Sequence, residues 1–375
     1  MNADKPPKVF LVCSGLGHIN RGFESFTQEC FEALSTCAEL DVILFKGGGG
    51  SKKKEIALWN LPRNRALSET LGKWTRKSGY ILEQATFGLS LLPHIIREQP
   101  DVIFLSDFCL GHYLWHWRKR TNSHYKLLFS NGGPTLPPFP HWDHVHQVAP
   151  AHLQDALDTG EPREKQTMIP YGVQMEPELR LLSPEEKVSL RKSLGLPTDR
   201  PIVLSVGIVN NSYKRMDYVI REVASLNGLR PYLIMLGQQD EETPGVQRLA
   251  DKLLGADNFQ IHMVPHQEIQ GYFQAADAFV LASLGEGFGR VFLEALSYGV
   301  PCIAHDYSLP QYILGKSGLL ADFRQEGSLS QLICQVLEQN DALPPVRLRH
   351  KIAFERFSWQ HLRPQYVEMI QRCLM

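Results

Sequence analysis

With 375 residues, 43% of them apolar, and 39 Lys and Arg against 40 Asp and Glu, the chain has an ordinary globular composition and enough length for two domains with cores of their own. The near-zero net charge excludes a protein built to neutralise nucleic-acid phosphates. No apolar stretch reaches the roughly 18 residues of a membrane span, and the start at Met1 does not read as a secretory leader.

The seven cysteines, at 13, 30, 37, 109, 302, 334 and 373, are odd in number, scattered and mostly set in apolar runs. They read as buried thiols, so a cytoplasmic protein is expected.

Lys8 to Cys13 is an apolar run of strand length that breaks at Ser14-Gly15-Leu16-Gly17-His18 and gives way to a helical pattern from Gly22 to Leu34. Strand, glycine loop and helix in this order open a Rossmann-like domain. The glycines at 15, 17 and 22 do not have the spacing of the dinucleotide fingerprint, which disfavours NAD. A second strand, Asp41 to Phe45, leads into Gly47 to Gly50, where four glycines in a row predict a mobile loop. From Lys52 to Lys77, eight Lys and Arg residues stand against only Glu55 and Glu69, interleaved with Trp59 and Trp74. A solvated face accounts for this segment most simply; peripheral contact with a membrane surface or an anionic acceptor is the alternative.

Asp101 to Ser106 and Tyr125 to Ser130 read as buried strands. The first leads to Asp107 and a helix holding His112 to Arg120; the second ends in Asn131-Gly132-Gly133. His141, Asp143, His144 and His146 gather three imidazoles and a carboxylate, but their spacing beside a short strand at Val145 to Val148 does not converge as zinc ligands do, and no metal is assigned. A linker follows Met168 to Val173, and Ser183-Pro184-Glu185-Glu186 has capping-box form, opening a helix near the start of a second domain.

From there strands and helices alternate: strands at Pro201 to Gly207, Tyr232 to Leu236, Ile261 to Val264 and Ala278 to Leu281, with helices at Gly245 to Leu254 and Ile269 to Ala275. Alternation of this kind predicts an α/β fold with parallel, doubly wound sheets. Gly315-Lys316-Ser317 is not a Walker loop, because Pro310 stands where its first glycine should be. A break at Pro344-Pro345 precedes a helix to Glu355 and a last one from Leu362 to Cys373.

The chemistry concentrates between Phe279 and Asp306. Two buried runs, Ala278 to Leu281 and Val300 to Ala304, flank the loop Gly285-Glu286-Gly287-Phe288-Gly289 and a helix from Arg290 to Tyr298. The N–H groups of the first turn, around Arg290 and Val291, and the helix dipole favour an anion such as a pyrophosphate. Glu286 in the loop and Glu294 a turn into the helix set two carboxylates where vicinal hydroxyls could donate to them. Two solvated charges, or a glycosidase acid and nucleophile, are the rival readings, and both fit poorly with an apolar helix between buried strands.

With its E-x(7)-E pair, the stretch from Glu286 to Ala304 resembles the signature of the retaining GT-B glycosyltransferases, glycosyltransferase family four or group 1. The resemblance implies two Rossmann-like domains with parallel doubly wound sheets facing a cleft. Residues 1–178 with the C-terminal helix 360–375 would form the acceptor side, and residues 179–359 the nucleotide-sugar donor side. In such proteins the first glutamate contacts the donor sugar and the second its ribose, here Glu286 and Glu294. The backbone of Gly287, Phe288, Gly289, Arg290 and Val291 would meet the diphosphate, Gly15 and Gly17 would approach the phosphates from the first domain, and the base would lie near Val264. Lys214 matches the family's diphosphate lysine, whereas Ile208 stands where an arginine is expected, with Arg215 as a replacement.

Catalytic roles implied by the resemblance fall to Glu286, Lys214 and Asn131, the last in a place where many relatives carry a histidine; His18, Arg21 and Asp107 lie on the acceptor side. The implied reaction moves a sugar, with retention, from a UDP- or GDP-linked donor to a hydroxyl of a small-molecule, glycan or lipid-linked acceptor, with no metal or other cofactor required. The departures at Ile208 and Asn131 favour one alternative, a non-catalytic nucleotide-sugar-binding subunit.

Overall fold

The structure, a computed structural model, describes residues 5–19, 21–63, 68, 78–133, 135–226, 228, 230–338 and 344–375. Much of the basic segment expected at Lys52 to Lys77, including Arg65, Lys73, Trp74, Arg76 and Lys77, lies outside the described residues. The chain divides into unit 1, Met1–Gln174 with Phe357–Met375, and unit 2, Met175–Arg356.

In unit 1 the strands are β1 (Lys8–Cys13), β2 (Asp41–Lys46), β3 (Glu55–Ala57), β4 (Val102–Leu105), β5 (Lys126–Asn131), β6 (His144–Gln147) and β7 (Gln166–Met168). They form one parallel sheet in the order β3-β2-β1-β4-β5-β6-β7, with Val9 of β1 opposite both Val42 and Val102. The helices are α1 (Gly22–Leu34), α2 (Gly79–Glu98), α3 (Phe108–Thr121) and α4 (Pro150–Asp158). Helical crossovers cover both faces of such a sheet, which is why β1 and β4 are apolar almost throughout rather than alternating.

Unit 2 opens with α5 (Pro184–Ser193), whose capping box forms as the sequence pattern requires: Glu186 N donates to Ser183 Oγ at 3.2 Å, and Ser183 N to Glu186 Oε2 at 2.9 Å. Then follow β8 (Ile202–Val206), α6 (Met216–Ala224), β9 (Tyr232–Leu236), α7 (Thr243–Leu253), β10 (Phe259–His262), α8 (His266–Ala275), β11 (Ala278–Leu281), α9 (Arg290–Ser297), β12 (Cys302–His305), α10 (Ser308–Leu314), β13 (Gly318–Ala321), α11 (Ser328–Glu338) and α12 (Val346–Phe357). The strands make a second parallel sheet, ordered β10-β9-β8-β11-β12-β13. Its core joins Val203, Val219, Leu233, Val280 and Ile303 with Phe323. Parallel order puts the loops that leave β8, β11 and β12, three neighbouring strands, along one carboxyl edge, the usual place for a ligand in an open α/β sheet.

The chain returns to unit 1 as α13 (Trp359–Arg372), which packs on α1. Trp359 is 4% exposed; its ring stacks on Phe26 at 5.9 Å and its Nε1 donates to Glu29 at 3.2 Å. Gly172 leaves room for it, since a Cβ there would lie 2.5 Å from the indole.

The glycine run after β2 departs from its expectation. Gly47 and Gly48 are buried: a Cβ on the first would stand 1.9 Å from Ser14 O, and one on the second 2.5 Å from the His18 ring. Gly48 N also donates to Leu16 O at 2.9 Å. These two glycines are not a mobile loop but a close approach of two backbones, while Gly49 and Gly50 face open space. Among the described residues no helix is long and apolar enough to cross a membrane, and all seven cysteines are free thiols.

Candidate active site

The carboxyl edge of the unit 2 sheet gathers the residues that the sequence marked there. Glu286, in the loop after β11, has a side chain only 9% exposed; its Oε1 accepts a hydrogen bond from Lys214 Nζ at 2.5 Å and its Oε2 one from the Tyr213 hydroxyl at 3.3 Å. Lys214 is placed by its own loop: its N–H donates to Asn210 Oδ1 at 2.9 Å, and its stem crosses Gly207, where a Cβ would lie 2.9 Å from Lys214 Cε. Burial, and then the Glu286 charge, push the Tyr213 phenol up to about 12, so at neutral pH it stays a donor. A buried carboxylate needs such partners, because an unpaired charge out of water is expensive.

Helix α9 begins at Arg290, as expected, and no side chain caps it. Gly289, at φ 69°, turns the chain into the helix, with its α-carbon facing the Phe292 ring so closely that a Cβ would approach it to 2.9 Å. Gly287 is half-buried and Phe288 buried in the same loop. The uncapped dipole at Arg290 and Val291 suits an anion. Glu294 lies half-buried one turn into α9, near Tyr298, whose phenol is raised by burial and then by this carboxylate. Val264 is half-buried just beyond β10.

Arg215 does not join this group. Its guanidinium donates to Phe323 O at 2.9 Å and lies 4.4 Å over the Tyr218 ring, so as a replacement for the arginine missing at Ile208 it is corrected to a residue that ties α6 to the end of β13. A cavity of about 480 Å³ also opens in unit 2, at the amino ends of β8 and β11 between Arg191, Pro201, Asp277 and Leu337. That is the wrong edge of a parallel sheet for this chemistry, and Arg191 there is already paired with Asp277 at 2.6 Å.

Unit 1 presents a different cluster at the ends of β1 and β4. Asp107 is buried; its Oδ2 accepts from Ser14 N at 2.8 Å, and its Oδ1 from the Tyr80 hydroxyl at 3.3 Å and Gln84 Nε2 at 3.4 Å. Arg63 forks onto the fully buried Glu83, with NH2 to Oε1 at 2.5 Å and Nε to Oε1 at 3.1 Å. It is therefore a buried partner rather than part of a basic surface. Glu24 lies alongside, its Oε1 only 2.5 Å from where a Cβ on Gly15 would be. Burial pushes the Glu24 and Asp107 carboxyls up, and in Glu24 the charge of Asp107 adds to it. Gly17, at φ 92°, faces the Gly48 backbone. His18 Nε2 pairs with Asn60 Oδ1 at 3.2 Å, and Arg21 stands exposed before α1. Glu24, Glu83 and the inward turn of Arg63 escaped the sequence reading, because partners so far apart in the chain share no local pattern.

Residues 186–353 match the family described as glycosyl transferases group 1. The match covers 168 of the 375 residues. The group 1 domain coincides with most of unit 2 and contains Lys214, Glu286 and Glu294. The chain is 32% identical over 193 residues to the D-inositol 3-phosphate glycosyltransferase of Mycolicibacterium smegmatis, covering 49% of this chain and 43% of that protein. It thus spans about half the length of the curated relatives it matches. Its fold is the GT-B fold of sucrose-phosphate synthase from Thermosynechococcus elongatus, at a TM-score of 0.77 and 18% identity over 98% of both chains. HepE of Anabaena, solved with UDP and glucose, superposes at a TM-score of 0.75 with 15% identity, over 97% of this chain and 99% of that one.

Outside the group 1 domain, Asn131 is buried, and its amide is committed to the turn that follows: Nδ2 donates to Gln147 Oε1 at 3.0 Å and Thr135 O at 3.2 Å, and Oδ1 accepts from Thr135 N at 2.6 Å. With both amide hydrogens engaged, it holds the loop at Thr135 and keeps only spare acceptor capacity on Oδ1. The histidine cluster disperses. His146 is wholly buried between Ser130 Oγ and Ile169 O, at 3.0 and 2.7 Å, and burial pushes it down to about 4. His144 bonds Thr167 Oγ1 at 2.7 Å, Asp143 pairs with Arg118, and His141 packs on Trp115. Among the described residues no three His, Cys, Asp or Glu converge as a metal site.

Proposed function

We propose that this protein is a retaining glycosyltransferase, which takes a sugar from a UDP- or GDP-linked donor and passes it to an acceptor hydroxyl, with no metal taking part. The observation that carries this is the preassembled group Tyr213, Lys214 and Glu286 beside the uncapped start of α9, within a group 1 domain. Transfer leaves charge on a departing diphosphate; a lysine and a helix N-terminus in fixed positions stabilise that charge without reorganising. Glu286 then serves the neutral, hydroxyl-rich sugar. Lys214 moves between two anions in this scheme: it neutralises Glu286 before the donor arrives and meets the diphosphate when it is bound.

The donor class is supported by the fold shared with HepE, which was solved with UDP and glucose. Unit 1 supplies the acceptor side, and its carboxylate-rich cluster around Asp107 suits hydroxyls better than phosphates. The free thiols fit a reducing cytoplasm. Peripheral membrane contact through the basic segment has only Lys52, Lys53 and the exposed Trp59 among the described residues to support it.

Thermal melting with UDP, GDP, their sugars and NAD tests the donor class, since a ligand at a hundred times its Kd stabilises by about 2.7 kcal/mol. Stabilisation by NAD alone would return the chain to the oxidoreductases. Transfer in EDTA, with NMR of the product's anomeric centre, tests the rest. Sugar-nucleotide binding with no turnover on any acceptor would favour the non-catalytic subunit, a reading that the lost cation at Ile208 supports.

A further inference from the structure

Three buried polar side-chain groups with unused hydrogen-bonding capacity stand in the loops that leave β8, β11 and β12: Asn211 Oδ1, Ser283 Oγ and the Tyr307 hydroxyl. The same edge carries Tyr213, Lys214 and Glu286. A polar atom shielded from water and left unpaired costs free energy, and a group of them at one place marks where a ligand completes the bonding.

Tyr307 has the best-defined position of the three. It is extended, at φ −159° and ψ 175°, just before α10, and its carbonyl accepts from Gln311 N at 3.1 Å. Its ring lies 5.8 Å from that of His305, which is itself fixed by Phe323 N donating to Nδ1 at 3.1 Å. The hydroxyl sits in the field of Glu286 and Tyr213; burial first, and then these two groups, raise its pKa, so it keeps its proton. Both Glu286 oxygens already hold a partner, whereas the Tyr307 hydroxyl accepts from the Glu286 backbone N–H and its own proton has no acceptor.

We propose that Tyr307 determines specificity for the donor sugar, its hydroxyl donating to a sugar hydroxyl beside Glu286. This rests on the donor reading given above. The group recognised is neutral and hydroxyl-bearing, because a second anion placed here would meet the Glu286 carboxylate, whereas a sugar hydroxyl can accept from Tyr307 and donate to Glu286.

Calorimetric titration of the whole chain with UDP-glucose, UDP-galactose and GDP-mannose, each against its nucleoside diphosphate alone, tests this on wild type and Tyr307→Phe. The variant is expected to bind UDP and GDP within about twofold of wild type, yet to bind the preferred sugar nucleotide roughly five- to tenfold more weakly, the size of one neutral hydrogen bond. Its preference between UDP-glucose and UDP-galactose should shrink. Its ligand-free melting temperature should change little, since the change removes one weak acceptor and a proton that has no acceptor. Equal losses for the diphosphate and the sugar nucleotide, or no loss at all, overturn the Tyr307 assignment and leave the donor reading standing. A wild type that binds none of the probes overturns both.

Discussion

Each unit sends a central strand into a glycine-bearing loop and then a helix, β1 to α1 in unit 1 and β11 to α9 in unit 2. What surrounds the two loops is opposite in charge. In unit 2 one buried carboxylate, Glu286, meets a lysine and a phenol, beside an uncapped helix start. In unit 1 the carboxylates of Glu24, Glu83 and Asp107 gather around the Arg63 guanidinium, with Arg21 also acting on Glu24, among the described residues. A diphosphate would be welcomed at the first and repelled at the second. Topology therefore supplies two equivalent places for a ligand, and the side chains decide which of them takes an anion. Gly15, expected to approach the donor phosphates, lies against the Glu24 carboxylate.

The largest effect should come from Lys214→Ala. Removing a fixed donor from a departing anion costs about 10²- to 10³-fold in turnover, and in a transfer assay that is the expected loss. The same change strands Glu286, whose side chain is 9% exposed, and breaking a buried pair costs roughly 3 to 5 kcal/mol. Adding Glu286→Gln should recover most of that stability in urea melts and none of the turnover. If both survive in Lys214→Ala alone, unit 2 is not the anion site and the contrast collapses.

A smaller loss, confined to unit 1, is expected for Gly17→Ala. The residue has φ 92°, and a Cβ would come within 2.3 Å of the Gly48 backbone, so about 2 kcal/mol or more should be lost. Titration of the folded variant with UDP should match wild type if unit 2 alone holds the diphosphate, and weaker binding would return Gly17 to the donor site. Asn131→Ala should cost roughly 1 to 3 kcal/mol by unpairing the turn at Thr135. Transfer per folded molecule should be unchanged; a loss of turnover without a loss of stability would restore the amide to the catalytic group.

Most of unit 2 could be read along the sequence, because its signals are local. An apolar run followed by Gly-Phe-Gly and an apolar-faced helix fixes β11, the loop and α9, and the helix starts at Arg290 as the pattern says. The capping box at Ser183 is equally local. What escaped depends on distant partners. Whether Arg215 points to a phosphate or to Phe323 O is settled by a strand more than a hundred residues later in the chain. The Glu83–Arg63 pair needs α2, a helix that starts well after Arg63 in the chain, so no local pattern links the two. Four glycines look flexible to any local rule, and only the arrival of Ser14 and His18 against Gly47 and Gly48 shows that two of them permit contact.

The smallest effect has the opposite sign and probes the acidic side of the contrast most directly. Burial raises the folded-state pKa of Glu24 above its unfolded value, and Asp107 adds to the shift. Between those two values the folded protein holds a proton that the unfolded chain has released, so stability is full below the ordinary carboxylate range and falls as pH rises through the folded pKa. Glu24→Gln abolishes this penalty while keeping the shape. Urea melts should therefore show the variant gaining about 1 kcal/mol at pH 8, the usual size of one stabilising change, and nothing near pH 3. A variant less stable than wild type at pH 8 would mean that Arg63 holds Glu24 as a partner rather than tolerating it. The three carboxylates would then form a balanced network, and unit 1 would lose its claim to repel phosphate.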